Sequence, residues 1–428
     1  MDITRRSLLL GAAGGASILA LPGIARGSGA PKHLIMVFVG GGWDVTYSID
    51  PKPGVATIDG PELDESPMNP FDREAVQTFG DVPVMVNDSK RAAVTQFFSQ
   101  HADKTAVVNG IWVGSVAHQA CAVRMLTGAR SVGMPDVAMI NAFTNGLDAP
   151  IPHMDIGNAG FVGEFAAFSG STGTRNQLKA VLDRSTTIKG PVGSPDYPLY
   201  VPSADDEAAV GDYLATRNAA FATGAAGNAR SEARVADYLE SLTRAQALKD
   251  DQTLADNLRY GEFANVLEQA ALAVQVIDGG LCHSVAVDSG GAWDSHDDNN
   301  DQHGAYEDLF AGLNIMMAEL ERTGLMSNTV VAVMSEMTRT PKRNADGGKD
   351  HWPSTSAMLI GAGVGGGRVY GATDDNLDPV GVDLASGDSV QGGAPAQYDQ
   401  FVAGILELVG VDPGDWLPDV EAYRGFIA

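Results

Sequence analysis

The chain has 428 residues, 44% of them hydrophobic and 19% charged. That apolar share supports a buried core and excludes wholesale disorder and the fibrous classes. A formal net charge of −26, from 28 basic and 54 acidic residues, repels phosphate backbones and excludes nucleic acid as a partner. Two cysteines exclude a disulfide-rich scaffold and a four-cysteine zinc site.

Arg5 and Arg6 stand directly before an apolar stretch, Leu8 to Leu21, that holds Gly11, Gly14 and Gly15. The stretch is too short and too glycine-rich for a membrane-spanning helix and reads as an export signal. The arginine pair marks the twin-arginine route; an uncleaved anchor or a chance pair is the alternative. Gly23-Ile24-Ala25 is the best cleavage triplet. The expectation is a signal peptide over 1–25, a mature chain of 26–428, and a periplasmic or extracellular location. No later stretch reaches about 18 uninterrupted apolar residues, so the mature chain is expected to carry no transmembrane segment.

In chain order, His33–Val39 is a continuous apolar run closed by Gly40-Gly41-Gly42, the mark of a buried strand. Ala92–His101 reads as a helix, Thr105–Asn109 as a second strand, and Ser115–Leu126 as a helix closed by Thr127-Gly128. From Ala204 to Ile277 the composition turns to Ala, Glu, Arg, Asp and Leu without a strand signal. This predicts an inserted layer of two or three helices, for example Ser231–Lys249 and Leu254–Ile277. Leu281–Val287 and Thr329–Met334 are further strands, with the helix Tyr306–Leu325 between them. Ser356–Ile360 is a fifth strand and Gln397–Val409 a last amphipathic helix. Pro51–Pro83 and Pro191–Ser203 are loop-like. The whole predicts one α/β domain with a mostly parallel central sheet, helices on both faces, and the insertion at about 204–277.

Ligands of such sheets bind beyond the carboxyl ends of the strands. The polar residues gathered there are Asp44 after the first strand, Asp294 and His296 after Leu281–Val287, Glu336 after Thr329–Met334, and Asp350-His351 beyond it. Mixed carboxylate and imidazole donors suit a divalent metal, whether zinc or manganese or, with more oxygen, magnesium or calcium. Each has a plainer reading. Asp44 can cap a turn, Asp294 can be a loop carboxylate, the run Asp297–Asp301 can be a solvated loop, and Asp350-His351 can be a surface pair. Glu336, directly after a buried strand, is hardest to explain plainly, because a buried carboxylate needs a partner. Arg339 either binds an anionic substrate or neutralises Glu336.

Five stretches occur together in order: Val37–Asp44 (strand and GGxD), His118–Gly128 (a helix ending T-G), Trp293–His296 (W-D-x-H), Ser335–Arg339 (S-E-x-x-R) and Asp350–His351. The set resembles domain-of-unknown-function family 1501, twin-arginine-exported proteins of the alkaline phosphatase and sulfatase superfamily. The resemblance implies an alkaline-phosphatase-like fold and hydrolysis of phosphate or sulfate esters, hence a small anionic ester as substrate. It also implies two metals, one on Asp44 and Glu336 and one on Asp294, His296 and His351. A protein partner from another exported family (domain-of-unknown-function family 1800) is implied as well. The nucleophile of superfamily hydrolases stands ten residues before the Gly of the T-G ending; here that position is His118. Histidine is not the usual Ser, Thr or modified Cys, so the nucleophile position is remodelled. The alternative is a non-catalytic binding or assembly protein that keeps the fold.

Gly361-Ala362-Gly363-Val364-Gly365-Gly366 matches G-x-G-x-x-G, but no helix follows, so a glycine-rich turn is the reading rather than a dinucleotide site. Cys121 and Cys282 lie in apolar company and read as buried free thiols, with a disulfide permitted by the oxidising compartment as the alternative. The export reading gives a direct test. Replacing Arg5-Arg6 by Lys-Lys is expected to hold the precursor in the cytoplasm, as read by fractionation and immunoblot; normal export of that variant refutes it.

Overall fold

The computed structural model describes residues 31–171, 203–250 and 265–428. The export signal lies outside these residues, as do the loop segment 191–202 and the first part of the helix expected at Leu254–Ile277. The described chain falls into two compact units, residues 203–250 in one and 31–171 with 265–428 in the other. In the smaller unit, α4 (Ala204–Ala225) and α5 (Ala229–Asp250) form a helical pair. Ser203 caps α4 through a reciprocal capping box with Asp206. Among the described residues no helix is long and apolar enough to cross a membrane.

The larger unit holds β1 (His33–Val39), β2 (Ala75–Phe79), β3 (Val82–Val86), α1 (Ala92–His101), β4 (Thr105–Trp112), α2 (His118–Thr127), α3 (Val137–Asn145), β5 (His153–Ile156) and β6 (Ser169–Ser171). After the smaller unit come α6 (Val266–Asp278), β7 (Ser284–Asp288), α7 (Asp301–Thr323), β8 (Thr329–Ser335), β9 (Thr338–Arg339), β10 (His351–Trp352), β11 (Ser354–Gly361), β12 (Arg368–Tyr370) and α8 (Tyr398–Leu408). Eight strands make the main sheet in the order β12-β4-β11-β8-β1-β7-β5-β6. All run one way except β11, which is antiparallel to both β4 and β8. β2 with β3, and β9 with β10, form two-stranded antiparallel pairs.

Continuous apolar strands are covered on both faces, and alternation assigns each residue to a side. Leu34 and Met36 of β1, with Ala286 of β7 and Ala332 of β8, pack into the cluster that holds Cys121 and Met125 of α2, Ile140 of α3 and Phe401 of α8. Ile35, Val37, Val331 and Val333, also fully buried, point the other way, where α6 lies on β1 and β7 and α7 packs on α6 and α1. On that side Phe97 meets Phe310 edge-on at 5.2 Å between ring centres. Each fully buried large apolar side chain of this kind stabilises the fold by roughly 1.5–3 kcal/mol. Cys121 and Cys282 are buried and unbonded.

The sequence readings of β1 and α1 coincide with the observed bounds, and β4, β8 and β11 run one to three residues longer than expected. The region read as loop, Pro51–Pro83, holds β2 and the start of β3. Of the segment read as an inserted helical layer, α6 belongs to the larger unit. After β11 the glycine-rich run makes a turn into β12, without a helix.

Asp136 caps α3: one oxygen accepts from Met139 N at 2.8 Å and the other from Phe161 N at 2.6 Å. Burial pushes its carboxyl up to about 7, against the lowering effect of those amides. The unfolded group ionises near about 3.9. Between these pH values the folded chain keeps a proton that the unfolded chain has lost, so this group's contribution to stability falls as pH rises from about 4 to about 7. Asp136→Asn is expected to flatten that part of the stability–pH curve in urea titrations. It should also cost about 1–3 kcal/mol near pH 4.5, because Phe161 N–H loses its acceptor.

Candidate metal centre

The carboxyl ends of β1, β4, β7 and β8 lie along one edge of the sheet, and the reversed β11 brings its amino end to the same edge. This places Gly40–Asp44 after β1, His118 at the first turn of α2, Asp294 and His296 after β7, Glu336 after β8, and Asp350-His351 just before β11. The loops are held very close. Gly41 has φ 119°, and a Cβ there would come within 2.9 Å of Asp294 N and of Trp293 Cβ, so only glycine fits.

Arg339, wholly buried, joins these loops. Its Nε donates to Gly42 O at 2.8 Å and its Nη1 to Lys349 O at 3.1 Å. Its Nη2 reaches Gly41 O, Trp293 O at 2.8 Å and Asp294 Oδ1 at 2.7 Å. These contacts leave Arg339 no donor for a substrate, while its charge still lowers the Glu336 carboxyl from a distance, as one of the two expectations had it. Its donors are committed inside the protein, and the carboxylate it pairs with is that of Asp294, so it is a positioning residue.

Three imidazoles surround Asp294. His351 Nε2 and His296 Nε2 are each 3.2 Å from its Oδ1, and His118 Nε2 is 3.3 Å from its Oδ2. The Nδ1 atom of each ring faces an oxygen: Glu336 Oε1 at 2.5 Å for His118, Asp350 Oδ1 at 2.9 Å for His296, and Val116 O at 2.7 Å for His351. Each ring meets its Nδ1 oxygen at a shorter distance than its Nε2 meets Asp294, so the tautomer with the proton on Nδ1 leaves Nε2 with a lone pair toward the cluster. The lone pairs of His296 and His351 then face each other, Nε2 to Nε2, at 2.9 Å. At that separation the two nitrogens are bridged either by a proton, as an Nε2–H···Nε2 hydrogen bond, or by a metal cation shared between the lone pairs.

The donor set fits such a cation. His296 Nε2, His351 Nε2 and Asp294 Oδ1 form a triangle with sides of 2.9, 3.2 and 3.2 Å. A tetrahedral site with nitrogen and oxygen ligands at about 2.0–2.1 Å has edges of roughly 3.3 Å. His118, Asp294 and His351 also form a group whose ligand atoms all lie within 4.8 Å of one another. Each ring's Nδ1 hydrogen bond is the outer support that orients a metal-ligating histidine.

The electrostatics agree. Burial alone would raise the Asp294 carboxyl, but the Arg339 hydrogen bond, His351 and the nearby charges outweigh it and hold it at about 2, so it is ionised at every ordinary pH. The Asp294 side chain is 49% exposed and that of His118 41%, whereas Glu336 is 4% exposed beneath them. Burial raises the Glu336 carboxyl, opposed by the hydrogen bonds from His118 and from Gly41 N at 3.0 Å. The hydrogen bond from His296, followed by that from Asn344, lowers the Asp350 carboxyl.

The candidates therefore separate. Asp294, His296 and His351 come together as the resemblance implies, and His118 joins them. Glu336 and Asp350 stand behind the rings of His118 and His296 as supports. Asp44 is elsewhere: it caps the turn Val45–Tyr47 through Thr46 N, and its other oxygen is 2.7 Å from Lys349 Nζ and 2.9 Å from Asn299 Nδ2. The implied pairing of Asp44 with Glu336 around one metal is not built, because each carboxylate already has its own buried partners. Lys349, Asn299 and the Val116 carbonyl are absent from the candidates that the sequence offered. Of these, only the basic residue beside Asp350-His351 left a signal in the sequence.

The larger unit is thus an α/β protein with an imidazole–carboxylate cluster at the carboxyl edge of its sheet. The profile of the family described as Protein of unknown function (DUF1501) matches residues 31–184 and 196–422, and the chain belongs to that family. A search of curated proteins returns no match. Similar solved structures include a protein in the alkaline phosphatase superfamily from Vibrio parahaemolyticus, with 9% identity, 98% of this chain and 78% of that one covered, and a TM-score of 0.37. A lipoteichoic acid synthase from Listeria monocytogenes has 8% identity, covers 94% and 78%, and has a TM-score of 0.39. A sulfatase from Pseudoalteromonas sp. has 11% identity, covers 92% and 70%, and has a TM-score of 0.36.

Glu336→Gln keeps the shape of the support behind His118 and removes its charge. It is expected to lower zinc affinity roughly ten- to a hundredfold in isothermal titration, with an unchanged circular dichroism spectrum. Parent-like affinity would detach Glu336 from the metal centre.

Proposed function

We propose that the protein is an exported metal-dependent hydrolase of small phosphate or sulfate esters, with a single cation on Asp294, His296, His351 and His118. The observation that carries this reading is the convergence of three Nε2 atoms on one carboxylate. A set of three nitrogens and one or two oxygens favours zinc or manganese over magnesium and calcium, which take oxygen. When bound, such a cation polarises an ester oxygen and lowers the pKa of a bound water.

The chain's own residues supply the rest. Arg339 fixes the Asp294 carboxylate, while Glu336, Asp350 and Val116 O fix the three rings. The first turn of α2, where His118 sits, has no side-chain cap on Ala117; its free N–H groups and positive dipole end favour an anionic ester beside the cluster. His118 Nδ1 is engaged by Glu336 and its Nε2 turns to Asp294, so the residue at the nucleophile position is engaged at both nitrogens. Attack by water, with no covalent phospho- or sulfo-enzyme, follows from that arrangement. The absence of Ser, Thr or Cys at position 118 is also what favours the second reading, a binding or assembly protein that keeps the fold and serves an exported protein partner.

The test is metal analysis of the purified mature protein, followed by aryl phosphate and aryl sulfate substrates with the zinc- and manganese-loaded forms. Turnover that His351→Ala lowers by about a hundredfold or more is expected, since a metal ligand is lost. Fully loaded protein that turns over neither ester class supports the binding reading instead.

A further inference from the structure

The buried carboxylate of Asp44 follows β1 at the same sheet edge, apart from the cluster, and its surroundings are complete. Oδ1 accepts from Thr46 N at 3.1 Å and from Thr46 Oγ1 at 2.7 Å, and Oδ2 accepts from Asn299 Nδ2 at 2.9 Å. The fourth acceptor place faces Lys349 Nζ at 2.7 Å, with both side chains 0% exposed. A carboxylate offers about four acceptor sites, so no room is left for a coordinating cation. Lys349 Nζ is itself buried without a well-aligned hydrogen bond, so it acts on Asp44 as a point charge, as a metal ion would. The backbone holds it there: Lys349 N donates to Ser295 O at 3.0 Å, and Lys349 O accepts from Arg339. That fixes the Lys349 backbone against the loop that carries His296, from which its side chain reaches Asp44.

We propose that Lys349 is a built-in cation that takes the place of a metal ion at Asp44, so that the site loads one metal rather than two. A buried Asp needs a compensating positive charge, and a covalently attached one is never lost to dilution or chelators. Lys349 thereby fixes the metal stoichiometry of the centre. The single-metal count rests on the metal reading of the Asp294 cluster, whereas the role of Lys349 at Asp44 does not.

Lys349→Met removes the charge and keeps the length of the side chain, leaving Asp44, Asn299 and Thr46 as an oxygen-rich pocket that suits manganese. After equilibration with manganese and desalting, elemental analysis is expected to give about one metal per parent chain and about two per Lys349→Met chain. The additional ion should be absent from Asp44→Asn/Lys349→Met, in which neither charge remains. Manganese should raise the melting temperature of Lys349→Met and not of the double variant. If Lys349→Met is unfolded alone, manganese is expected to restore its circular dichroism spectrum; a variant that manganese neither binds nor rescues overturns the inference. Two metals in the parent overturn it as well while leaving the cluster reading intact. No metal in the parent, with one in Lys349→Met that the double variant loses, refutes the cluster reading and upholds the role of Lys349.

Discussion

A buried guanidinium must place its donors on acceptors or carry a large desolvation cost, and Arg339 meets that demand with oxygens from separate loops. Gly41 O and Gly42 O follow β1, Trp293 O and Asp294 Oδ1 follow β7, and Lys349 O precedes β10. These segments are far apart in sequence and meet only because their strands end at one edge of the sheet. With its donors shared in this way, Arg339 fixes the loop positions and the orientation of the Asp294 carboxylate together. Loss of any one loop contact would leave a buried donor unsatisfied, at about 1–3 kcal/mol or more for a charged group. The geometry of the imidazole cluster depends on that constraint, since each ring is placed relative to Asp294.

The direction of β11 is the second condition. A wholly parallel sheet would put the amino end of that strand, and His351 before it, at the opposite edge. Because β11 runs against β4 and β8, His351 arrives beside His296 and His118, and the short β9–β10 pair sets His351 opposite Arg339. The antiparallel strand is therefore what completes the cluster.

How legible this was from the amino-acid sequence varies by residue. β1, β4 and β8 were plain because continuous apolar runs between glycine or polar ends have few other readings. β2 and β3 were hidden, the exposed Ala75–Phe79 strand presenting no buried face and lying in a stretch rich in proline and aspartate. The antiparallel sense of β11 was not readable, since a fully buried strand has the same composition in either direction. At the site, position after a strand was enough to single out Asp294, His296, Glu336 and His351. It did not separate the side chains around Asp294 from those behind the rings, because that depends on which ring nitrogen meets which oxygen. The bonding of Asp44 was hidden for a related reason. The partner that satisfies it, Lys349, is 305 positions away, and no local spacing links them.

One rule accounts for the roles of the three carboxylates nearest the sheet edge. Asp44 and Glu336 are buried, and each is satisfied within the fold, Asp44 by Lys349, Asn299 and Thr46 and Glu336 by Gly41 N and His118. A carboxylate so compensated is a poor first ligand, because coordinating a metal would require it to give up partners that burial makes expensive to lose. Asp294 differs. Half of its side chain is open, Arg339 keeps it ionised, and the imidazoles stand around it with their Nε2 atoms inward. In a protein carrying a net charge of −26, many carboxylates can attract a cation. Asp294 is set apart from them as the half-exposed, ionised group ringed by three imidazole nitrogens.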